Sequence, residues 1–361
     1  MKALLHELRS RPLLWLVAFV PILFACHTAI PEAHTLHFVL SVVAIVPLAA
    51  LLGWATEAVA AKTGDLVGGL LNATLGNLTE LVIALTALAA GQYMLVKASI
   101  AGAIVTNVLF MLGGSMLLGG LKHRVQTYNK PTARLQTAML LAAIFALLVP
   151  SAIATSHERV FSSIGSAVSL ALAAVLLVTY CLAMLFSLVT HREVFATAHG
   201  DGHDEAALPI APALAVLAGV TVLVAAVSEV FVSSVQHAAE TFGMTPAFVG
   251  FVVVPLVGGA AEMGSSFSAA RKDRLDMSMG ICIGSAAQIA LFLAPVLVFA
   301  SPLLGPAQMD LQFWPGAIVM MLMATLTATV VTNSGQSAWF LGVQLLTVYA
   351  IFAITLYLLP P

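Results

Sequence analysis

Four of the sixteen acidic residues in this 361-residue chain lie inside long apolar runs: Glu57, Glu80, Glu229 and Glu262. The other acids fall in loops or near the ends of such runs. A charge at the centre of a bilayer costs about 2.5–3.5 kcal/mol on insertion scales, so such groups normally face a polar cavity or a partner. No Lys or Arg lies deep enough in the apolar runs to neutralise them. Four uncompensated acids in an apolar interior invite cations, either protons or metal ions.

Glu80 and Glu262 are the strongest candidates, because each follows a glycine-containing break, Gly76 in one case and Gly258-Gly259 in the other. Glycine loosens a helix, and unwound backbone is tolerated at membrane depth where it lines a cavity. Asn77, Thr79, Asn107, Ser285 and Gln288 add neutral oxygens nearby. Calcium takes six to eight oxygens at about 2.3–2.6 Å in a flexible shell, a demand that two carboxylates with amide, hydroxyl and backbone oxygens can meet. Nitrogen and sulfur ligands are absent from these segments, which argues against zinc or copper there. The same carboxylates can hold protons. A pair that is neutral with two protons or one dication makes the two cargoes mutually exclusive, as an antiporter requires. Glu57 and Glu229 are read as proton-coupling or pathway residues.

The elements that carry these groups follow from composition. The chain is 61% apolar and only 8% charged, against about 25% charged in an ordinary soluble domain. Soluble enzymes and nucleic-acid binders are thereby excluded. Breaking the apolar runs at polar or Gly/Pro clusters gives spans at 13–30, 38–61, 66–90, 98–120, 135–154, 161–190, 209–236, 246–270, 277–300, 313–332 and 338–359. This predicts an all-α polytopic membrane protein of eleven transmembrane helices. With a cytoplasmic N-terminus, Lys2, Arg9, Arg11, Lys62, Lys122, Arg124, Lys130, Arg134, Arg192, Arg271, Lys272 and Arg274 fall inside, and only Lys97 and Arg159 outside.

The polar stretch 191–208 divides the later ten spans into five and five. Five is odd, so the two halves insert in opposite directions, the inverted-repeat design of many secondary transporters. The expected organisation is an N-terminal helix (1–35), a first five-helix repeat (36–190), a cytoplasmic connector (191–208) and a second repeat (209–361). Motifs recur accordingly. Gly76-Asn77-Leu78-Thr79-Glu80 is echoed by Gly258-Gly259-Ala260-Ala261-Glu262, the stretch from Gly102 to Asn107 by that from Gly284 to Gln288, and Ala55-Thr56-Glu57 by Val227-Ser228-Glu229.

Asn72-Ala73-Thr74-Leu75-Gly76-Asn77-Leu78-Thr79-Glu80-Leu81 and Pro255-Leu256-Val257-Gly258-Gly259-Ala260-Ala261-Glu262, with Leu275-Asp276 and Gly284-Ser285-Ala286-Ala287-Gln288-Ile289-Ala290-Leu291-Phe292, resemble the paired signature repeats of the calcium/proton exchanger (CAX) family. The resemblance covers both halves and implies eleven helices, an ion site between the signature glutamates, and proton-driven export of cytosolic Ca2+. One departure is visible: the family's second motif usually reads Gly-Asn-Ala-Ala-Glu, and Gly259 stands at its Asn, removing one amide oxygen. A monovalent Na+ or K+/H+ antiporter of the same fold is therefore the first alternative, and a cation channel the second.

No Ser/His/Asp set, His-Glu-x-x-His motif or phosphate loop is present, so the chain reads as a transporter and not an enzyme, with no cofactor beyond transported Ca2+ and H+. Its partners are those ions and membrane lipid, without nucleic acid; a homo-oligomer is left open. The plasma (inner) membrane is the expected location. Cys26, Cys181 and Cys282 read as small buried hydrophobes. His191, His199, Asp201, His203, Asp204 and Glu205 read as a solvated linker, and Arg271, Lys272 and Arg274 as topology anchors.

Overall fold

A computed structural model describes residues 12–63, 65–156, 158–191 and 210–358. Helix α1 (Phe19–Ala29) is entered through a 3-10 turn, Pro12–Ala18, and is followed by α2 (His34–Ala60). A broken pair comes next, α3 (Asp65–Leu75) and α4 (Leu78–Ala89), and then the long α5 (Tyr93–His123). Strand β1 (Val125–Thr127) leads into α6 (Lys130–Ser156) and α7 (Glu158–Leu185), which is continued by a π-wound stretch, Phe186–Thr190. After the connector come α8 (Ile210–Thr241), α9 (Pro246–Gly258), α10 (Ala260–Arg271), α11 (Leu275–Leu304) and α12 (Pro315–Val331). Strand β2 (Gln336–Ala338) and α13 (Trp339–Leu358) complete the described chain.

Each expected apolar run is helical over most of its length, as a chain with no water to bond its backbone must be. Among the described residues seven helices are long and apolar enough to cross a bilayer, or eight if α9 and α10, bent by 60°, are one span. Leu14–Ala29, Leu78–Ala89 and Pro315–Val331 are apolar but shorter. The N-terminal basic residues Lys2, Arg9 and Arg11, together with Arg192, His199, Asp201, His203, Asp204 and Glu205, lie outside the described residues.

Burial sorts the helices into layers. The apolar stretches of α5 and α11 are 83% and 72% buried, whereas those of α7, α8 and α13 are 17%, 22% and 28% buried and present apolar side chains outward. The two most buried helices are thus the third of each half, the pair that carries Asn107 and Gln288. Both change winding there: Thr106–Met111 in α5 and Ile289–Leu293 in α11 are π-helical. Such bulges displace the hydrogen-bond ladder by one residue and re-aim the side chains beside it.

One long-range strand pair was not legible in the sequence. Val125 pairs with Ala338 and Thr127 with Gln336, antiparallel, joining the α5–α6 connection to the α12–α13 connection. Beside it the Gln126 amide donates to Ala270 O at 2.9 Å and to Asp273 Oδ1 at 2.8 Å, so the end of α10 is fixed to the end of α5. At the opposite end Lys97 pairs with Asp310 at 2.7 Å, and Ala307 exchanges hydrogen bonds with the Tyr93 hydroxyl.

Of the three cysteines expected inside, Cys282 is buried, Cys26 is half-buried and Cys181 is exposed on α7, whose outward face is apolar. An apolar neighbourhood in sequence does not distinguish a core-facing thiol from one on the rim of a membrane bundle.

Candidate functional site

The α3–α4 break is Gly76-Asn77 and the α9–α10 break is Gly259; Gly258 itself belongs to the last turn of α9, one residue short of the break expected to include it. Each break is followed within one helical turn by its glutamate, Glu80 in α4 and Glu262 in α10. A carboxylate in the first turn of a helix faces unsatisfied N–H groups and the positive end of the helix dipole.

Each glutamate is seated against the break of the other half. A Cβ built on Gly258 would stand 3.2 Å from Glu80 Cγ, and one on Gly259 would stand 3.5 Å from Glu80 Oε1. Reciprocally, a Cβ on Gly76 would stand 3.9 Å from both Glu262 Oε1 and Gln288 Oε1. At Gly258 an added methyl would press on the Glu80 side chain, whereas at Gly259 and Gly76 it would lie at ordinary contact distance from the opposite carboxyl, so the glycines bring each break against the other half's glutamate. Glu80 is buried, Glu262 is half-buried, and Glu262 Oε2 is shielded with no hydrogen-bond partner.

The neutral oxygens named from the sequence converge beside them. Asn107 Nδ2 donates to Ser285 Oγ at 2.9 Å, Ser285 Oγ donates to Asn77 Oδ1 at 2.6 Å, and Asn77 Nδ2 donates to Gln288 Oε1 at 2.8 Å. This chain runs from α5 to α11, crosses to the first break and returns to α11. All four side chains are held in place, and Asn77, Asn107 and Ser285 are buried. Two carboxyls from two half-helices and four neutral groups make an oxygen-rich cluster able to hold a hard cation or protons.

The surroundings are unequal on the two sides. Toward α9 the packing is closed: a Cβ on Gly102 would fall 2.1 Å from Phe251 O, and one on Gly250 2.6 Å from Ala98 Cβ. The small cavity between Glu80 and that wall is lined by Ser99 and otherwise by apolar groups such as Ala103, Val254 and Leu293. Around Gly76, Gly264 and Gly284 the packing is open. Gly76 and Asn72 are exposed, and a Cβ on Gly264 or Gly284 would meet no atom within 4 Å.

Glu57 and Glu229 do not join the hydrogen-bonded chain; both lie exposed on α2 and α8. Their neighbours Thr56 and Ser228 point inward instead, at 1% and 0% exposure, each with a hydroxyl lacking a hydrogen-bond partner. A hydroxyl carries no charge to set it apart in an apolar run. The signal was present, since a hydroxyl residue precedes the glutamate in both repeats.

With this geometry in view, similarity to known proteins becomes informative. The family model described as sodium/calcium exchanger protein matches residues 33–189 and again 212–358. The chain belongs to this family. It is 37% identical to a Ca2+/H+ antiporter of Synechocystis sp., covering 98% of both chains. It is 38% identical to the Ca2+/H+ antiporter ChaA of Bacillus subtilis, over 89% of this chain and 92% of that one. Among solved structures, native YfkE superposes with a TM-score of 0.84 at 33% identity, covering 97% of this chain and 100% of the other.

Proposed function

We propose that this exchanger-family protein is a secondary antiporter that moves cytosolic Ca2+ outward in exchange for H+ by alternating access. The observation that carries the reading is the reciprocal seating of Glu80 and Glu262 against the opposite helix breaks, with Asn77, Asn107, Ser285 and Gln288 hydrogen-bonded around them. The relatives named Ca2+/H+ antiporters support the choice of cargo. Glu80 and Glu262 bind either the dication or protons, and the amide and hydroxyl oxygens complete the shell. Glu57 and Glu229 stand on the faces from which protons reach the pair.

The full arrangement is eleven membrane helices as one plus five plus five, with the repeats spanning 36–190 and 209–361 and inserted in opposite senses. Two separate family matches, one in each half, support the duplication. The positive-inside distribution supports a cytoplasmic N-terminus in the plasma membrane. With that orientation the open side around Gly76 faces the cytosol and the closed α9 side faces outward, so the site stands ready to load Ca2+. Opening the α5–α9 contact while closing α11 against α3 reverses access, as expected of inverted repeats.

Gly259 keeps a second reading in view, since the missing amide weakens the shell for a dication and favours a monovalent cation. One experiment addresses both. Vesicles containing the protein are given an imposed pH gradient, and Ca2+ uptake is followed with and without excess Na+ or K+. Gradient-driven Ca2+ uptake that is lost in Glu80→Gln and Glu262→Gln is the expected result. Wild-type rates in either variant would remove that residue from the site, and abolition of uptake by the excess Na+ or K+ would favour the monovalent reading.

A further inference from the structure

Beyond Glu262, toward the end of the bundle where β1 meets β2, three helices turn small polar side chains on one another. Ser266 and Ala270 follow Glu262 in α10 at intervals of four residues, a spacing that stacks side chains on one helix face. Ser115 and Gly119 have the same spacing in α5, and Ser278, Cys282 and Ser285 lie at intervals of four and three in α11. The three faces meet. The Cys282 thiol is flanked by the Ser115, Ser266 and Ser278 hydroxyls and lies within electrostatic reach of Glu262. From Glu262 to Ala270 the helix rise makes this seam about 12 Å long.

Gln126 closes the far end. Its Nε2 donates to Ala270 O and Asp273 Oδ1, while its Oε1 lies against Gly119, where any Cβ would collide with it. Ser337 stands directly opposite Gln126 in the strand pair and shares its face. Ser115, Ser278 and Cys282 are 0% exposed, and Gln126 and Ser337 are 2% exposed. Yet Glu262 Oε2, Ser115 Oγ, Ser278 Oγ, Gln126 Oε1 and Ser337 Oγ have no hydrogen-bond partner. They are five of the nine such atoms among the described residues, so the deficit is concentrated along this one seam. A buried polar atom left without a partner is costly, and a water that bridges two or more of them removes the cost.

We infer that single-file water fills this seam and carries protons between Glu262 and the β1–β2 end of the bundle. The inference rests on the antiporter reading above. Each serine hydroxyl accepts one hydrogen and donates another, so a proton passes along the file with no net change in any serine. Glu262 gives its proton from Oε2 to the first water and is left a carboxylate, free for a dication. The last water releases a proton beside the exposed Asp273. Gln126 acts as a positioning residue, because the bonds from its Nε2 hold Oε1 toward that last water. The seam adds a buried route to the exposed faces that bear Glu57 and Glu229. It also keeps the departing proton out of the open packing around Gly264 and Gly284, by which Ca2+ enters.

Two measurements on the full chain in vesicles test this. In the first, an X-ray pulse turns water into hydroxyl radicals, and mass spectrometry reads oxygen added at Cys282, a thiol closed to bulk solvent. Labelling is expected in the wild type and should be lost when Ser115→Ala and Ser278→Ala are combined. An unlabelled Cys282 in the wild type, or equal labelling in the double variant, overturns the proposal; the wild-type measurement needs no variant to fold. The second compares Ca2+/H+ exchange with Ca2+/Ca2+ exchange, which uses the same ion site and the same alternation but moves no proton. The double variant should slow Ca2+/H+ exchange by about tenfold or more and change Ca2+/Ca2+ exchange by less than about twofold, the latter also certifying a folded carrier. Equal loss of both modes, or loss of neither, overturns the proton route. A wild type that carries Ca2+ without moving H+ overturns the antiporter reading and the proton route with it, an outcome distinct from the others.

Discussion

Gly102 and Gly284 occupy matching places in the two repeats, and alanine at each should act in opposite directions. At Gly102 the added methyl would sit 2.1 Å from Phe251 O and 2.4 Å from its Cα, both backbone atoms with no rotamer to yield. An ordinary C···O contact is about 3.3 Å, so α5 and α9 must separate by about 1 Å. Overpacking of this kind costs about 1–3 kcal/mol, charged to the state in which the α9 side is closed. At Gly284 nothing lies within 4 Å, so the same methyl leaves this state untouched. It acts only when α11 closes against α3. A bias of 1–3 kcal/mol shifts a two-state equilibrium by roughly 5–150-fold. The assay is labelling of single cysteines introduced at the buried Ser99, on the closed side, and the exposed Ser265, on the open side, after the native cysteines are replaced. Gly102→Ala should raise labelling at position 99 relative to 265 by roughly 5–150-fold, and Gly284→Ala should hold or lower that ratio. Equal shifts from both variants, or no shift from Gly102→Ala, would refute the assignment of α5–α9 and α3–α11 as the two alternating contacts.

Two further outcomes follow from the same geometry. Asn77→Ala strands the Ser285 hydroxyl and the Gln288 carbonyl, a loss of about 1–3 kcal/mol of stability that should appear as a lowered melting temperature, and removal of an oxygen from the cluster should raise the KM for Ca2+ in vesicle uptake. Acidifying the side that offers Ca2+ should raise the apparent KM, since protons occupy the carboxyls the ion needs. The rise should approach about 100-fold per pH unit where two protons are displaced per ion, and a KM independent of pH on that side would sever the link between the two cargoes.

The acids, the glycine breaks and the duplication were legible because buried charge is costly and rare, so its position in sequence is already informative. Partnership across the interface was not. That Glu80 rests on Gly258 and Gly259, and Glu262 against Gly76, depends on how the two halves dock, and nothing local encodes it. The rotation of α2 and α8 was likewise hidden, since a helix apolar all round has no polar face to declare which side is core. Glu57 and Glu229, read as proton-coupling or pathway residues, lie on exposed faces, while Thr56 and Ser228 take the buried positions. The π-wound stretches beside Asn107 and Gln288 have no composition that separates them from α-helix.

The line of bonds from Asn107 through Ser285 and Asn77 to Gln288 has a sense of direction, each group giving its hydrogen to the next. The Asn77 oxygen is thus engaged by a hydroxyl from the other half before any cargo arrives. An amide oxygen has two lone pairs, so the Ser285 hydrogen occupies one and leaves the other open. The three bonds that clasp the halves here therefore leave the Asn77 oxygen able to hold the clasp and to face a cargo at the same time.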